Sequence, residues 1–231
     1  MLLQILTYTH RLTTMLFGIF LSAFFLGVKQ NKKNVCILLG GGAVSGLFFL
    51  ICNTVFGSLF TEAVYPIFVH LPLFLLLVFY YRFRWLPSII SIMTAYLCCQ
   101  FSNWAGIFAL SLSGLDWVYY LVRIIVTVAV FAFLSRYLCQ TTALLLAKSN
   151  RELYILGAMP FVYYVFDYST TKFSMLLYSG NKVVVEFLAF AMCISYVIFL
   201  FVYFQEYELK NRAEQYGQLT NMHLNSLHSE I

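Results

Sequence analysis

Residues 35–56 read VCILLGGGAVSGLFFLICNTVF, an apolar run without a charged residue. A helix over this run is long enough to cross about 30 Å of hydrocarbon while satisfying its own backbone hydrogen bonds. Further runs of similar character lie on both sides of it, and together they predict an all-α, polytopic membrane helix bundle of seven spans. The predicted spans are Leu12–Val28, Val35–Phe56, Ala63–Tyr81, Leu86–Leu110, Trp117–Leu138, Leu153–Tyr168 and Val183–Phe204. Because the sixth run is the shortest, six spans are the alternative.

The composition of the chain supports this interpretation. Apolar and aromatic residues make up 62% of the 231 residues and charged residues only 10%, whereas soluble domains carry about 25% charged residues. The net charge of +5 lies in short loops beside apolar runs, not in one basic face, which argues against nucleic acid binding. The six cysteines have neither metal-ligand spacing nor a secreted framework. We therefore expect no metal, no other cofactor and no disulfide.

The basic residues predict the orientation, because cytoplasmic loops of membrane proteins are enriched in Lys and Arg. Ten of the 14 basic residues fall in alternate connections that would share one side: Lys29, Lys32, Lys33, Arg82, Arg84, Arg136, Lys148, Arg151, Lys210 and Arg212. The opposite connections carry only Arg11, Lys172 and Lys182. We therefore expect a cell-membrane protein, in contact with lipid, whose N-terminus is external and whose C-terminus is cytoplasmic.

Arg123 lies about six residues into the fifth predicted span. A central arginine costs about 2.5–3.5 kcal/mol on insertion scales, so it should have a partner. One interpretation is a buried ion pair with Asp116, Asp167 or Glu186. The other is a contact between Arg123 and a ligand.

The remaining polar residues of the spans also map to one side. The outer halves of the predicted spans contain Asn53, Thr54, His70, Gln100, Asn103, Arg123, Asp167 and Glu186, and the inner halves are nearly pure hydrocarbon. Such a vestibule, open to the outside, is typical of a receptor for an external ligand. A transporter more often keeps its polar groups near the midplane. The structural alternative is that these residues only satisfy one another.

Glycines and prolines are expected to shape individual spans. Gly42 and Gly46 lie one turn apart, the spacing that lets two helix backbones approach closely. We expect this packing within the subunit, with a dimer face as the alternative. Pro66, Pro72 and Pro160 should kink the third and sixth spans.

After Phe204 the composition becomes polar, and residues 205–231 predict a long helix continuing from the seventh span. Its apolar residues recur at intervals of three and four, which favours a parallel homodimer. The seam consists of Leu209, Ala213, Tyr216, Leu224, Leu227 and Ile231. We therefore predict a transmembrane sensor bundle over residues 1–204 and a coiled-coil-like cytoplasmic dimerisation helix over residues 205–231. A single amphipathic helix lying on the membrane surface is the alternative for the second segment.

The short-looped bundle followed directly by EYELKNRAEQYGQL and NMHLNSLHSEI resembles the sensor region of GHKL-type bacterial sensor histidine kinases, the group that includes the agr-type peptide receptors. The resemblance implies a two-component signalling protein that detects an extracellular peptide or small molecule and acts on a response regulator. Neither His223 nor His228 is flanked by the residues of the family's phosphoacceptor, and no ATP-binding motif follows. The resemblance therefore implies a sensor and relay portion without catalytic residues, which would be a kinase only within a longer chain.

Two other functions remain open at the level of sequence. One is a small membrane transporter or permease component, and the other is a membrane scaffold that recruits a partner through its tail. The sequence contains neither H-E-x-x-H nor G-x-S-x-G, the motifs of zinc proteases and serine hydrolases.

Overall fold

The computed structural model describes residues 2–57, 60–61, 64–172 and 182–229, and within these it describes the side chains except for 151, 168–172, 182–189 and 223–229. This part of the chain is helical, without a strand. Its helices are α1 (Leu2–Phe25), α2 (Lys32–Phe56), α3 (Tyr65–Leu75), α4 (Trp85–Cys98), α5 (Gln100–Ser113), α6 (Asp116–Tyr137), α7 (Cys139–Leu146), α8 (Asn150–Lys172) and α9 (Lys182–Ser229). The chain after α3 continues as a π-helical turn, Leu76–Tyr80.

Four helical stretches among the described residues are long and apolar enough to cross a membrane: Lys32–Phe56, Trp85–Ser113, Asp116–Tyr137 and Phe190–Met222. They overlap the second, fourth, fifth and seventh predicted spans, so the all-α class and its apolar, membrane-length helices are confirmed. The apolar helix Tyr65–Tyr80 is shorter. The helices α1 and α8 have membrane length but carry more polar residues, and the count of seven spans stays a prediction.

The helix α1 packs against α2, α4, α6 and α7. Most of its side chains from Phe17 to Phe25 are buried, Leu21 completely. The first half of α1 is largely exposed, and of its two strongly polar residues His10 is buried and Arg11 is exposed.

The helices α2 and α6 show the opposite pattern, because large apolar side chains cover their outward faces. Val44 of α2 is 69% exposed. The other exposed apolar side chains of these two helices include Leu47, Phe48, Ile51 and Val55 of α2 and Ile125, Val128 and Phe133 of α6. Apolar faces of this extent suit hydrocarbon and are unusual on a water-exposed surface.

The two glycines of the small-residue pattern in α2 face α1 of the same chain. A Cβ atom at Gly42 would lie 3.0 Å from Cδ1 of Ile19, and one at Gly46 would lie 3.6 Å from Cε of Met15. Gly40, by contrast, faces open space. The structure thus places the close approach of Gly42 and Gly46 inside the subunit.

The prolines do not act alike. Pro66 lies in the first turn of α3, where a missing N–H removes no helical hydrogen bond, so the kink expected there is absent. Pro72 and Pro160 lie inside α3 and α8. Pro72 is followed within one turn by the π-helical turn, so the third predicted span departs from a regular α-helix in its second half.

The inner halves of the helices are not pure hydrocarbon. Ser22, Ser88 and Ser91 are buried there, as are Thr141 and Thr142 of α7. The Ser91 hydroxyl donates to the Ser22 carbonyl at 2.5 Å, and the Ser88 hydroxyl donates to the Arg84 carbonyl at 2.9 Å. Because serine can bond to backbone carbonyls of neighbouring helical turns, it enters an apolar interior at little cost, and the expected contrast between the two halves is weaker than predicted.

Arg84 joins two connections at the predicted inner side. Its guanidinium donates to the carbonyl of Lys148 at 2.6 Å and to those of Leu146 and Ala147 at 3.4 Å. It also donates to the Asn150 side chain at 3.3 Å. These carbonyls end α7, a short helix in a stretch predicted as a connection, and a cation there complements the helix dipole. The α3–α4 loop is thereby bound to the α7–α8 loop.

The Glu152 carboxylate caps the beginning of α8 by accepting hydrogen bonds from Ser149. The Ser149 hydroxyl donates to the Glu152 carboxylate at 3.0 Å, and the Ser149 backbone N–H donates to it at 3.3 Å. These bonds and nearby Lys148 hold the pKa of the Glu152 carboxyl below its usual value. The spacing S-x-x-E marks this helix start in the sequence.

The chain divides into two compact units, residues 1–193 and residues 194–231. The boundary between these two units falls inside the seventh predicted span, whereas the sequence pattern predicts a domain boundary after Phe204. In the second unit Leu209 and Tyr216 are 67% and 70% exposed, and Ala213 is exposed too. The side chains of Leu224 and Leu227, and the whole of Ile231, lie outside the described residues. Dimerisation stays a prediction.

Candidate ligand site

Polar side chains from three helices meet where α3 begins and where α4 and α8 approach their ends. The Tyr96 hydroxyl of α4 donates to Oδ2 of Asp167 on α8 at 2.6 Å. Nδ1 of His70 on α3 and the Tyr164 hydroxyl of α8 are hydrogen bonded at 2.8 Å. We call these four residues the tyrosine cluster. The structure thus brings together His70 and Asp167, which are far apart in the sequence.

Aromatic packing fixes the geometry of the tyrosine cluster. The His70 ring lies edge-on to Tyr65 and Tyr96, with centroids 5.4 and 5.6 Å away. The Tyr96 and Tyr164 rings are 5.1 Å apart. Such edge-to-face contacts contribute about 0.5–1.5 kcal/mol each beyond simple burial. Sequence reasoning misses these tyrosines because tyrosines in apolar runs also mark membrane interfaces. The available signal is the spacing of Tyr164 and Asp167, which places them on one face of α8.

Gln100 and Asn103 of α5 extend this polar region. The Gln100 amide nitrogen donates to the Tyr163 hydroxyl, and the Asn103 amide donates to the Gln100 carbonyl oxygen at 3.4 Å. Gln100 is buried. Since the Tyr163 ring lies 6.1 Å from that of Tyr96, this pair adjoins the tyrosine cluster. Four of the predicted site residues, including Gln100 and Asn103, therefore form one connected region.

Arg123 of α6 occupies a different environment. Its guanidinium donates to the hydroxyl of Tyr119, and its central carbon lies 5.1 Å from the centroid of the same ring. Its Nε atom is buried and has no hydrogen-bond partner among the residues that the structure describes. Among the described residues Arg123 makes no ion pair, so the predicted pairs with Asp116 and Asp167 are absent. The side chain of Glu186, the third predicted partner, lies outside the described residues.

Gly106 of α5 creates the space in which Arg123 lies. A Cβ atom at this position would be 2.8 Å from Cδ of Arg123, closer than Cβ atoms pack, and 3.1 Å from Cδ2 of Tyr119, which is tighter than most such contacts. The aliphatic part of Arg123 therefore lies directly on the backbone of α5. A single glycine in an apolar helix does not reveal this role in the sequence.

A groove of about 330 Å³ lies between α3, α4 and α8. Leu71 and Phe74, on either side of Pro72, form one wall. The other wall consists of Ile89, Ile92 and Met93 of α4. His70 and Tyr164 line it as well, so this apolar groove, which we call the α3/α4/α8 groove, adjoins the tyrosine cluster.

Comparison of the chain with protein-family models, with curated protein sequences and with solved structures finds no match.

Proposed function

We propose that this chain is the membrane-embedded sensor of a two-component signalling system. It crosses the membrane seven times, detects an external ligand through the polar groups of its outer half, and relays the change to the cytoplasm through α9. The observation that supports this proposal is the convergence of the tyrosine cluster, Gln100 and Asn103 between α3, α4, α5 and α8. Of these residues, His70, Gln100, Asn103 and Asp167 belong to the outer halves of their spans in the predicted topology.

Arg123 is the proposed ligand contact. A buried donor without an acceptor costs about 1–3 kcal/mol, and within the described part of the chain the Nε atom of Arg123 is such a donor. A ligand oxygen from a carboxylate or carbonyl group would satisfy it, and charge-assisted bonds of this kind are the stronger ones. The binding free energy of the ligand would thus include the removal of an existing cost.

The proposed relay is α9. Its backbone is helical from Lys182 to Ser229, so membrane-length and polar parts belong to one helix. A rotation or shift at its beginning would reach a parallel homodimer seam that contains Leu209, Ala213 and Tyr216. The downstream partner in this proposal is a response regulator, reached through the kinase part of such systems.

Cysteine cross-linking in membranes tests the relay on the full chain. Single cysteines replace Leu209, Ala213 or Tyr216, with Gln218→Cys on the opposite helix face as the matched control. Oxidation should cross-link the three seam positions and not the control. Addition of concentrated extracellular medium from the source organism should change the seam pattern, and Arg123→Leu should abolish that change. Equal cross-linking at all four positions, or a pattern insensitive to the medium, would refute the proposal.

The predicted topology has its own test. In a Cys36→Ser background, Leu115→Cys in the α5–α6 connection and Lys29→Cys after α1 report opposite sides. A membrane-impermeant maleimide added to intact cells should label the first and not the second. Labelling of both from outside would contradict the orientation on which the sensor proposal depends.

A further inference from the structure

We propose that the α3/α4/α8 groove binds a single-chain amphiphile that enters from the bilayer, with its hydrocarbon chain in the groove and a neutral, hydroxyl-bearing head at His70 and Tyr164. This inference rests on the proposed sensor function, because it names the chemical class of a molecule that the tyrosine cluster recognises. It differs from the Arg123 site, which offers a cation on α6.

The residues that line the groove determine which kind of tail it can bind. Leu71, Phe74, Ile92 and Met93 present only hydrocarbon and thioether surface. The volume of about 330 Å³ is at the lower end of the range of about 300–1,000 Å³ for small-molecule sites. One hydrocarbon chain fits such a space better than the two chains of a phospholipid.

The surface beside the groove determines the route of entry. Ile67, Leu71 and Leu75 are spaced by four residues on α3, and all three are exposed, Leu71 by 47%. Leu71 also lines the groove. The exposed apolar stripe of α3 therefore continues into the groove. A molecule dissolved in the bilayer can enter the groove laterally, without passing through water.

The chemistry of the amphiphile's head group is determined by the residues at the His70 end of the groove. His70 and Tyr164 form a hydrogen-bonded pair, and a hydroxyl group can both donate to and accept from such a pair. The Asp167 carboxyl is held close by through Tyr96, whose ring contacts both His70 and Tyr164. A carboxylate head would have to leave water for an apolar groove whose lining contains neither Lys nor Arg, so this position favours a neutral head.

Photolabelling of the full chain in phosphatidylcholine nanodiscs tests the tail site. The probe is hexadecanol carrying a chain diazirine and a terminal alkyne, and labelled peptides are mapped by mass spectrometry. Labelling should concentrate on α3 and α4 around Phe74 and Met93, and unlabelled hexadecanol should displace it. Ile92→Trp, which fills the groove, should reduce labelling about fivefold. The matched control is Ile125→Trp on the exposed face of α6, which should not change it.

Head selectivity is tested by competition and by two conservative variants. Hexadecanoate should compete about tenfold more weakly than hexadecanol. His70→Phe and Tyr164→Phe keep the rings and should lower labelling by the alcohol while leaving a matched alkane probe unaffected. Equal competition by the two compounds would overturn the proposed head chemistry.

Labelling spread evenly over the apolar faces of α2 and α6, without displacement, would overturn the site altogether. Residual labelling of those faces also reports whether the Ile92→Trp variant is folded, and Met93→Ala, which enlarges the groove, should retain the specific signal. Because binding in nanodiscs does not depend on α9, the two proposals fail separately. Groove labelling without any cross-linking response refutes the sensor, and a response to the medium without groove labelling refutes only the amphiphile.

Discussion

The tyrosine cluster and the Arg123 site differ in how far their hydrogen-bonding groups are satisfied. In the cluster Tyr96 bonds to Asp167 and His70 bonds to Tyr164, each at a normal distance. In the part of the chain that the structure describes, Arg123 has one hydroxyl partner and its buried Nε atom has no acceptor. A satisfied network stabilises helix packing, whereas an unsatisfied donor stores a cost that a ligand can remove. The two regions should therefore respond oppositely to mutation.

The largest effect is expected where Arg123 rests on α5. Gly106→Leu places a branched side chain where even a Cβ atom overlaps Arg123. We expect a loss of about 3 kcal/mol in the free energy of unfolding, at the upper end for overpacked sites. Gly40→Leu, which faces open space, is the control and should be nearly neutral. Denaturant unfolding in micelles measures both, and an equal loss in the two variants would contradict the proposed close contact.

The second effect concerns the strongest bond of the tyrosine cluster. A double-mutant cycle with Tyr96→Phe and Asp167→Leu should give a coupling energy of about 2 kcal/mol, since hydrogen bonds to charged groups contribute about 1.5–3 kcal/mol. The cycle cancels the other interactions of each residue, so that the coupling energy reports only the interaction between Tyr96 and Asp167. Additive single effects would show that the 2.6 Å contact contributes nothing to stability.

A smaller effect is expected for the bond between His70 and Tyr164. Tyr164→Phe keeps the ring contacts and removes one neutral hydrogen bond, which should cost about 1 kcal/mol. Tyr154→Phe, at an exposed position of the same helix, is the matched control. The midpoints of thermal unfolding should separate the two variants, and a lower midpoint for Tyr154→Phe would reverse the interpretation.

The smallest effect on stability is expected for Arg123 itself. Arg123→Leu removes the contacts with Tyr119, but it also removes a donor that is unsatisfied among the described residues and a charge that is costly inside a membrane, so the opposing effects should leave the free energy of unfolding changed by less than about 0.5 kcal/mol. The same variant should abolish the response of α9 to the external medium. A clear loss of stability would place Arg123 with the tyrosine cluster as a structural residue.

The sequence allows prediction of the features that depend on one helix at a time. Continuous apolar runs mark the membrane-length helices, and the S-x-x-E spacing marks the start of α8. The polar residues of the outer half are also recognisable, because charged and amide groups are rare in apolar runs.

Features that depend on how helices are rotated against each other cannot be read from sequence spacing. The partners of His70 and Asp167 are tyrosines, and tyrosine has no distinctive signal in an apolar run. The absence of a pair between Arg123 of α6 and Asp167 of α8, both among the described residues, is a further example. The short helix α7 escapes prediction because its apolar run is too brief to be distinguished from a loop.

The bonds of Arg84 have a mechanical consequence. Arg84 precedes α4 and clamps the loop that leads into α8, and Tyr96 and Asp167 tie the same two helices near their far ends. Because α4 and α8 are held together at both ends, we expect them to move as one rigid body. In the proposed sensor, a stimulus at the outer side would then move α3 against the α4–α8 pair, and Arg84→Gln, which removes the inner contact, would weaken the transmission of that movement to the inner side.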